Sequence, residues 1–398
     1  MNISTRGWNL PDSPIRKLTP IADTAKLNGK KIYHLNIGQP DLHTPEAFFK
    51  AIHEFDNKII GYTASEGLIE YRKKLVEYYK LFGIEVAIDE ILVTVGGSEA
   101  ILFSFFATCD AGDEVIVTEP FYANYNGYAA IAGIKLVPIT THIENNFEVP
   151  DQKAFEELIT PKTKAILICN PSNPSGNLYT DDELRSLIKI CIENNLYLIS
   201  DEVYKELCFD GTSFNSILEF PELGDRGIVI DSVSKKYSAC GARIGSLVTK
   251  NKSIMQVVVK MARTRLSAPI LEQVGAMALI DLKRGDIIAI RNEYQKRRDI
   301  VLESLGDLNG VYIPDIKGSI YAMIKLPIND TDHLAQWLLE EFELNGESVM
   351  IAPGSGFYST PGIGKSEIRI AFVLTEIELK KALNILKAGI EEYRKHYN

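Results

Sequence analysis

Gly227-Ile-Val-Ile-Asp231, followed at once by Ser232-Val-Ser-Lys235, joins an apolar run of strand length to a short polar turn. Similar runs rich in Val and Ile stand on both sides of it: Ile91-Val95, Glu114-Thr118, Lys135-Ile139, Lys164-Ile168, Leu196-Ser200 and Ile244-Val248. Longer segments of helical period separate them. Continuously apolar strands alternating with helices predict an α/β fold, with a mainly parallel seven-stranded sheet sandwiched by helices. In such sheets ligands gather beyond the carboxyl ends of the strands. Gly96, Asn170, Asn173, Asp201 and the turn Ser232 to Lys235 each follow a run, so groups far apart in sequence are expected at one mouth.

After a helix predicted over Leu271 to Leu305, the runs Val311-Pro314, Ile320-Lys325 and Ile368-Val373 predict a smaller α+β domain. At 398 residues, with 45% hydrophobic and 24% charged residues, the chain suffices for two domains of ordinary globular composition. The net charge of −10 disfavours a nucleic-acid or anionic-membrane surface. Cys109, Cys169, Cys191, Cys208 and Cys240 are scattered without a CxxC spacing, so neither a disulfide framework nor a metal site is expected and a reducing cytoplasm fits. No apolar run approaches the length of a membrane span, and Met1 to Asp12 lacks the basic and apolar regions of a signal peptide.

Lys235 has Ser232 and Ser234 just before it and Arg243 eight positions after it. A lysine that forms a Schiff base needs a site that suppresses its charge, and serines with an arginine suit a phosphate. The combination suggests pyridoxal phosphate. Gly96-Gly97-Ser98 closes a strand and opens a helix, where free amides and the helix dipole favour a phosphate. It is not the G-x-G-x-x-G fingerprint, so a dinucleotide is not indicated. Taken singly, each feature also has an ordinary structural reading. Ser98 can be a helix cap, Asp201 a strand-end turn residue, Tyr122 a core aromatic and Arg369 half of a surface pair.

Taken in order, Gly96-Gly97-Ser98, Tyr122, Asn170-Pro-Ser-Asn-Pro-Ser-Gly176, Asp201-Glu-Val-Tyr204, Lys235, Arg243 and Arg369 resemble the class I aminotransferases. These are fold-type I enzymes that use pyridoxal 5'-phosphate, and the aspartate aminotransferase branch is the most similar. The resemblance runs from Ile37-Gly38-Gln39-Pro40-Asp41 to Arg369-Ile-Ala-Phe372. It implies Lys235 as the catalytic Schiff-base lysine, and the register selects it over its neighbour Lys236. It implies phosphate contacts from Gly97, Ser98, Glu99, Ser232, Ser234 and Arg243. Asp201 would face the pyridine nitrogen, Asn173 and Tyr204 the phenolic oxygen, and Tyr122 would stack on the ring. Arg369, with Gly38 and Asn173, would bind the substrate's α-carboxylate. The usual Asn-Pro-Thr-Gly is here Asn173-Pro-Ser-Gly176, which keeps the hydroxyl.

The resemblance further implies a ping-pong transfer through pyridoxamine phosphate, from L-aspartate or a similar amino acid to 2-oxoglutarate. The alternatives are an aminotransferase for aromatic or other neutral amino acids and a carbon–sulfur lyase. Counting back from Ser267-Ala-Pro269, Arg263 falls where some relatives carry an arginine for a distal carboxylate, although it also reads as a basic helix end. Tyr62, in Gly61-Tyr-Thr-Ala-Ser-Glu-Gly67, resembles a tyrosine donated to the neighbouring subunit's phosphate. Both imply a homodimer with shared sites. The expected division is an N-terminal segment, 1–45, packed with a small domain, 286–398, beside a large cofactor domain, 46–285. Regulators with this domain carry a basic DNA-binding module ahead of it. The match here begins by about Ser13, so DNA binding is not expected.

Overall fold

The structure, a computed structural model, describes residues 3–8 and 10–397; residues 1, 2, 9 and 398, at the edges of the expected outer segments, lie outside the described residues. Its strands are β1 Lys31–His34, β2 Ile91–Thr94, β3 Glu114–Glu119, β4 Lys135–Thr140, β5 Thr163–Cys169, β6 Tyr197–Asp201, β7 Gly227–Ser232, β8 Gly245–Val248, β9 Tyr321–Lys325, β10 Glu347–Met350, β11 Ala352–Pro353 and β12 Glu367–Ala371. The main sheet has seven strands in the order β2-β8-β7-β6-β5-β3-β4. β3 to β7 pair in parallel, whereas β8 runs antiparallel to both β7 and β2.

Both faces of this sheet are covered, which is why its strands read as unbroken apolar runs. Along β5, Ile166 and Ile168 enter one core while Ala165 and Leu167 enter the other. β7 is buried over its whole length. Helices link the parallel strands, and Asp181–Glu193 shows how one starts. The Thr180 side chain accepts the Glu183 N–H, and Glu183 in turn accepts the Thr180 N–H.

A third core lies among the C-terminal elements and takes in Tyr33, Leu35, Val349, Ile370, Leu383 and Tyr393. There β9, β11 and β12 form an antiparallel sheet, and β1 pairs in parallel with β10, Lys31 opposite Glu347. Leu18, Ala22, Ala25, Ile32, Tyr33 and Leu35 thus pack with the C-terminal elements. Tyr204, Leu207 and Phe209, from the segment after β6, also enter this core, which brings it against the carboxyl ends of the main sheet.

Two expectations are corrected. The helix expected over Leu271 to Leu305 is two helices, Ile270–Ile280 and Arg284–Gly306, because Lys283 takes an extended backbone with φ −64° and ψ 143°. The first packs Ala276 and Leu279 into the sheet core, and the second packs Tyr294, Val301 and Leu305 into the C-terminal core. The interruption falls where the chain passes between them. Val311-Pro314 is no strand: Tyr312 makes a single bridge to Lys325, and Pro314 has no N–H to extend the ladder. β1, β10 and β11 were not expected from the sequence. Among the described residues no helix is long and apolar enough to cross a membrane.

Candidate active site

A cavity of about 340 Å³ opens at the carboxyl ends of β5, β6 and β7. Of the residues singled out from sequence, Gly38, Gly97, Ser98, Tyr122, Asn173, Asp201, Tyr204, Ser232, Ser234, Lys235, Arg243 and Arg369 all line it. They arrive from the N-terminal segment, the ends of β2, β3, β5, β6 and β7, the approach to β8, and β12.

One end of the cavity is built for an anion. Gly96 opens the helix Gly96–Thr108 with φ +74°, and a Cβ on it would lie 2.5 Å from the Arg243 guanidinium. The amides of the first turn are free of intrahelical partners. Arg243 is held by a hydrogen bond from Nη1 to the Cys240 carbonyl at 2.8 Å. Ser98 Oγ accepts from Tyr128 Oη at 2.8 Å. Glu99 differs from its neighbours. Its Oε2 accepts the Val95 N–H at 2.8 Å and its Oε1 lies 3.5 Å from Arg265 Nε, so its carboxylate is absent from the cavity lining. Only its amide is suited to an anion, since a carboxylate would repel one.

At the other end Arg369 is almost fully buried. Its Nη1 donates to Asn173 Oδ1 at 3.0 Å, its Nη2 donates to the Asn36 carbonyl at 2.5 Å, and its Nε has no hydrogen-bond partner among the described residues. The guanidinium sits over the Tyr321 and Phe357 rings, 4.3 and 4.7 Å from their centroids. Gly38 admits this packing, because a Cβ there would meet Tyr321 Oη at 1.9 Å. Lys235 Nζ donates to the Gly38 carbonyl at 2.7 Å. Lys236 is turned out of the cavity into a buried ion cluster with Asp231.

Between the two ends Asp201 ends β6. Its Oδ2 accepts from Tyr125 Oη at 2.7 Å, while its Oδ1 is buried without a hydrogen-bond partner among the described residues. Burial pushes its carboxyl up to about 6, against the Tyr125 hydrogen bond, which pulls it down. Tyr204 Oη donates to Tyr321 Oη at 3.3 Å.

The chain does not bring Tyr62 or Arg263 to its own cavity. Tyr62 is 81% exposed, and the Arg263 side chain is 67% exposed and paired with Glu66 at 3.3 Å. Tyr125, Tyr128, Tyr321 and Asn36 were not singled out from sequence. Tyr125 had a faint signal, standing three residues after Tyr122 in one aromatic stretch, whereas Tyr321 reaches the cavity only because β9 lies beside β12.

The chain matches the family described as Aminotransferase class I and II over residues 30–386. It is 29% identical over 404 residues to an aspartate aminotransferase of Bacillus subtilis, covering 99% of this chain and 100% of that protein. It is 30% identical to a (5-formylfuran-3-yl)methyl phosphate transaminase of Methanocaldococcus jannaschii, covering 97% and 98%. The solved structure of an alanine aminotransferase from Pyrococcus furiosus superposes with a TM-score of 0.89 at 28% identity, covering 98% and 100%. The chain belongs to the class I and II aminotransferases. It is thus a fold-type I aminotransferase dependent on pyridoxal 5'-phosphate.

The cavity fits that cofactor. Buried polar atoms seldom go unpaired, and Asp201 Oδ1 is an acceptor of the kind a protonated ring nitrogen satisfies. Arg243, Ser232, Ser234 and the free amides at Gly97 and Ser98 are donors suited to a phosphate.

Proposed function

We propose that this aminotransferase moves the amino group of L-aspartate, or a similar amino acid, to 2-oxoglutarate in a ping-pong cycle, with Lys235 as its catalytic base. The observation that carries the reading is the buried Arg369 guanidinium with its unpartnered Nε, a donor that a substrate carboxylate would satisfy. The side chains lining the cavity include four cations, Arg16, Lys235, Arg243 and Arg369, against one carboxylate, Asp201. With Arg243 on the phosphate and Arg369 on the α-carboxylate, Arg16 is left for a distal carboxylate, and Arg263 of a second subunit is the other candidate.

When bound, pyridoxal phosphate supplies a sink for the electron pair left as the substrate's Cα loses its proton. Asp201 Oδ1 holds the proton on the ring nitrogen. Asn173 has its Oδ1 engaged by Arg369, which leaves its Nδ2 free to donate to the phenolic oxygen, and Tyr204 donates beside it once its long bond to Tyr321 is given up. Tyr122 covers the ring face. Gly97, Ser98 and Glu99 through their amides, with Ser232, Ser234 and Arg243, bind the phosphate, and the Gly38 backbone takes the second side of the α-carboxylate. Lys235 Nζ would take the proton from the substrate's Cα and deliver it to the carbon that carried the cofactor's aldehyde.

We further propose a homodimer with shared sites, in which Tyr62 of one subunit reaches the phosphate of the other. The exposure of Ile59, Ile60 and Tyr62 in one short segment supports it. The pairing of β1 with β10 supports a small domain of 1–45 and 286–398 beside a large domain of 46–285.

The test is to load the protein with pyridoxal phosphate, add L-aspartate without a keto acid, and follow the visible band while assaying oxaloacetate. Loss of the band with matching oxaloacetate is expected. An unchanged band overturns aspartate as donor. A second reading, for aromatic or neutral amino acids, is favoured by Ile15, Ile37 and Tyr321 in the lining, and it predicts bleaching by those amino acids instead.

A further inference from the structure

Behind the turn that carries Lys235 lies a group of buried charges to which none of the roles above is assigned. Asp231 Oδ2 is 2.8 Å from Lys236 Nζ and 2.9 Å from Lys205 Nζ, and the three side chains are 3%, 5% and 0% exposed. Lys236 Nζ also donates to Tyr78 Oη at 2.7 Å, which donates in turn to Glu206 Oε1 at 2.8 Å. Lys205 Nζ lies 4.3 Å from the Tyr79 ring centroid. Burial alone would push the Asp231 carboxyl up, yet Lys205 and Lys236 together hold it below the usual carboxylate range.

One lysine would neutralise Asp231. The second, Lys205, is also attracted by the fully buried Glu202, and burying so many charges costs several kcal/mol unless their geometry is fully used, so stability alone is a poor reason for the arrangement. The better-attested use of buried ions is to specify one geometry. The connectivity shows which. Asp231 Oδ1 accepts the Ser232 N–H at 2.7 Å, and its Oδ2 takes the side chain of Lys236. One carboxylate thereby holds both ends of the segment 232–236, within which Ser232, Ser234 and Lys235 line the cavity.

We infer that Asp231 and Lys236 form a clamp that positions the Ser232–Lys235 turn for the cofactor, while Lys205 anchors the carboxylate from outside the turn. Lys236 is a positioning residue that touches neither cofactor nor substrate. The inference rests on the assignment of Lys235 made above.

Lys205→Met and Lys236→Met each remove one cation from the same carboxylate, but only Lys236 is joined directly to the turn. Both variants are expected to lower the melting temperature of the cofactor-free protein. Only Lys236→Met is expected to raise the dissociation constant for pyridoxal phosphate, by about tenfold, and to alter the visible circular dichroism of the bound cofactor, which reports its orientation. The clamp is overturned if Lys236→Met leaves both readouts unchanged, or if the two variants shift them equally. Should Lys236→Met not fold, Tyr78→Phe removes the other group holding Lys236 and keeps the ring; a smaller shift in the same direction is expected, and none overturns the clamp. Lys235→Ala separates this from the prior reading. Retention of the wild-type visible band in that variant overturns the Lys235 assignment itself, whatever Lys236 does.

Discussion

A carboxylate as buried as Asp201 is costly once ionised. Raised from 3.8 to about 6, it costs the cofactor-free protein about 3 kcal/mol above pH 7. The sign follows from the direction: the folded state holds the proton more tightly, so the penalty is absent below about pH 4 and grows as pH rises towards and past 6. Asp201→Asn is therefore expected to raise the melting temperature of the cofactor-free protein at pH 8 by roughly 3 °C, with the gain vanishing near pH 4. Turnover should fall by at least about a hundredfold, because a neutral amide does not hold the ring-nitrogen proton. Scanning calorimetry of both proteins at the two pH values checks the first part, and steady-state kinetics the second. Arg369→Lys places a point charge where a planar fork was, and is expected to cut kcat/KM for the amino acid by about a hundredfold while leaving the cofactor dissociation constant unchanged. Asp201 and Arg369 were legible in the sequence because a carboxylate after an apolar strand and an arginine near the end of the chain sat in an ordered series of motifs. Tyr125 and Tyr321, which bond to Asp201 and Tyr204, were not, since only the folded chain puts them there. Nor was the burial of Lys236, whose partner Asp231 reads from sequence as one more strand-end residue.

Among the elements, most of the main strands were legible for one reason: buried along nearly all their length, they carry no polar alternation to confuse them with surface strands, the edge strand β4 being the partly exposed exception. Short strands at the edge of the C-terminal layer lacked that signal. β1 and β10 find each other across most of the chain, and four residues apiece give no period to read. The break at Lys283 was hidden because each half of the expected helix is a good helix, and the division is set by which core each half faces. The structure adds a constraint on β8. A Cβ on Gly245 would lie 2.6 Å from the Gly96 carbonyl carbon and 2.8 Å from the Gly97 nitrogen, so the turn at Gly96 and Gly97 rests directly on this strand. Backbone cannot rotate away as a side chain can. Gly245→Ala is thus expected to destabilise the protein by about 2 kcal/mol or more and to weaken cofactor binding in parallel, measured by denaturant titration and by spectroscopic reconstitution. Gly97→Ala makes the contrast, because its Cβ would meet only Ile230 and Val203 at 3.5 and 3.7 Å, ordinary packing distances. A folded Gly245→Ala protein of full stability would show that the turn and β8 do not bear on each other.

At the scale of the whole molecule the proposed shared site makes a demand that one subunit cannot meet. Tyr62 stands 81% exposed on a segment with Ile59 and Ile60, and among the described residues no hydrogen bond of its hydroxyl holds it to its own chain. If it serves the neighbour's phosphate, damage to Tyr62 and damage to Lys235 fall on different subunits of the same site. Lys235→Ala abolishes the site of its own chain, while Tyr62→Ala weakens the site of its partner. Mixed after dissociation, the two variants give mixed dimers in which one site keeps its Lys235 and a partner with intact Tyr62, and the other site lacks both. With random pairing half the dimers are mixed and each has one good site, so about a quarter of the wild-type activity returns at limiting cofactor. Each parent alone remains low under the same conditions. Recovery without mixed dimers in native mass spectra, or mixed dimers without recovery, would show that each chain completes its own site, and Tyr62 would then be an interface residue with no part in binding the phosphate.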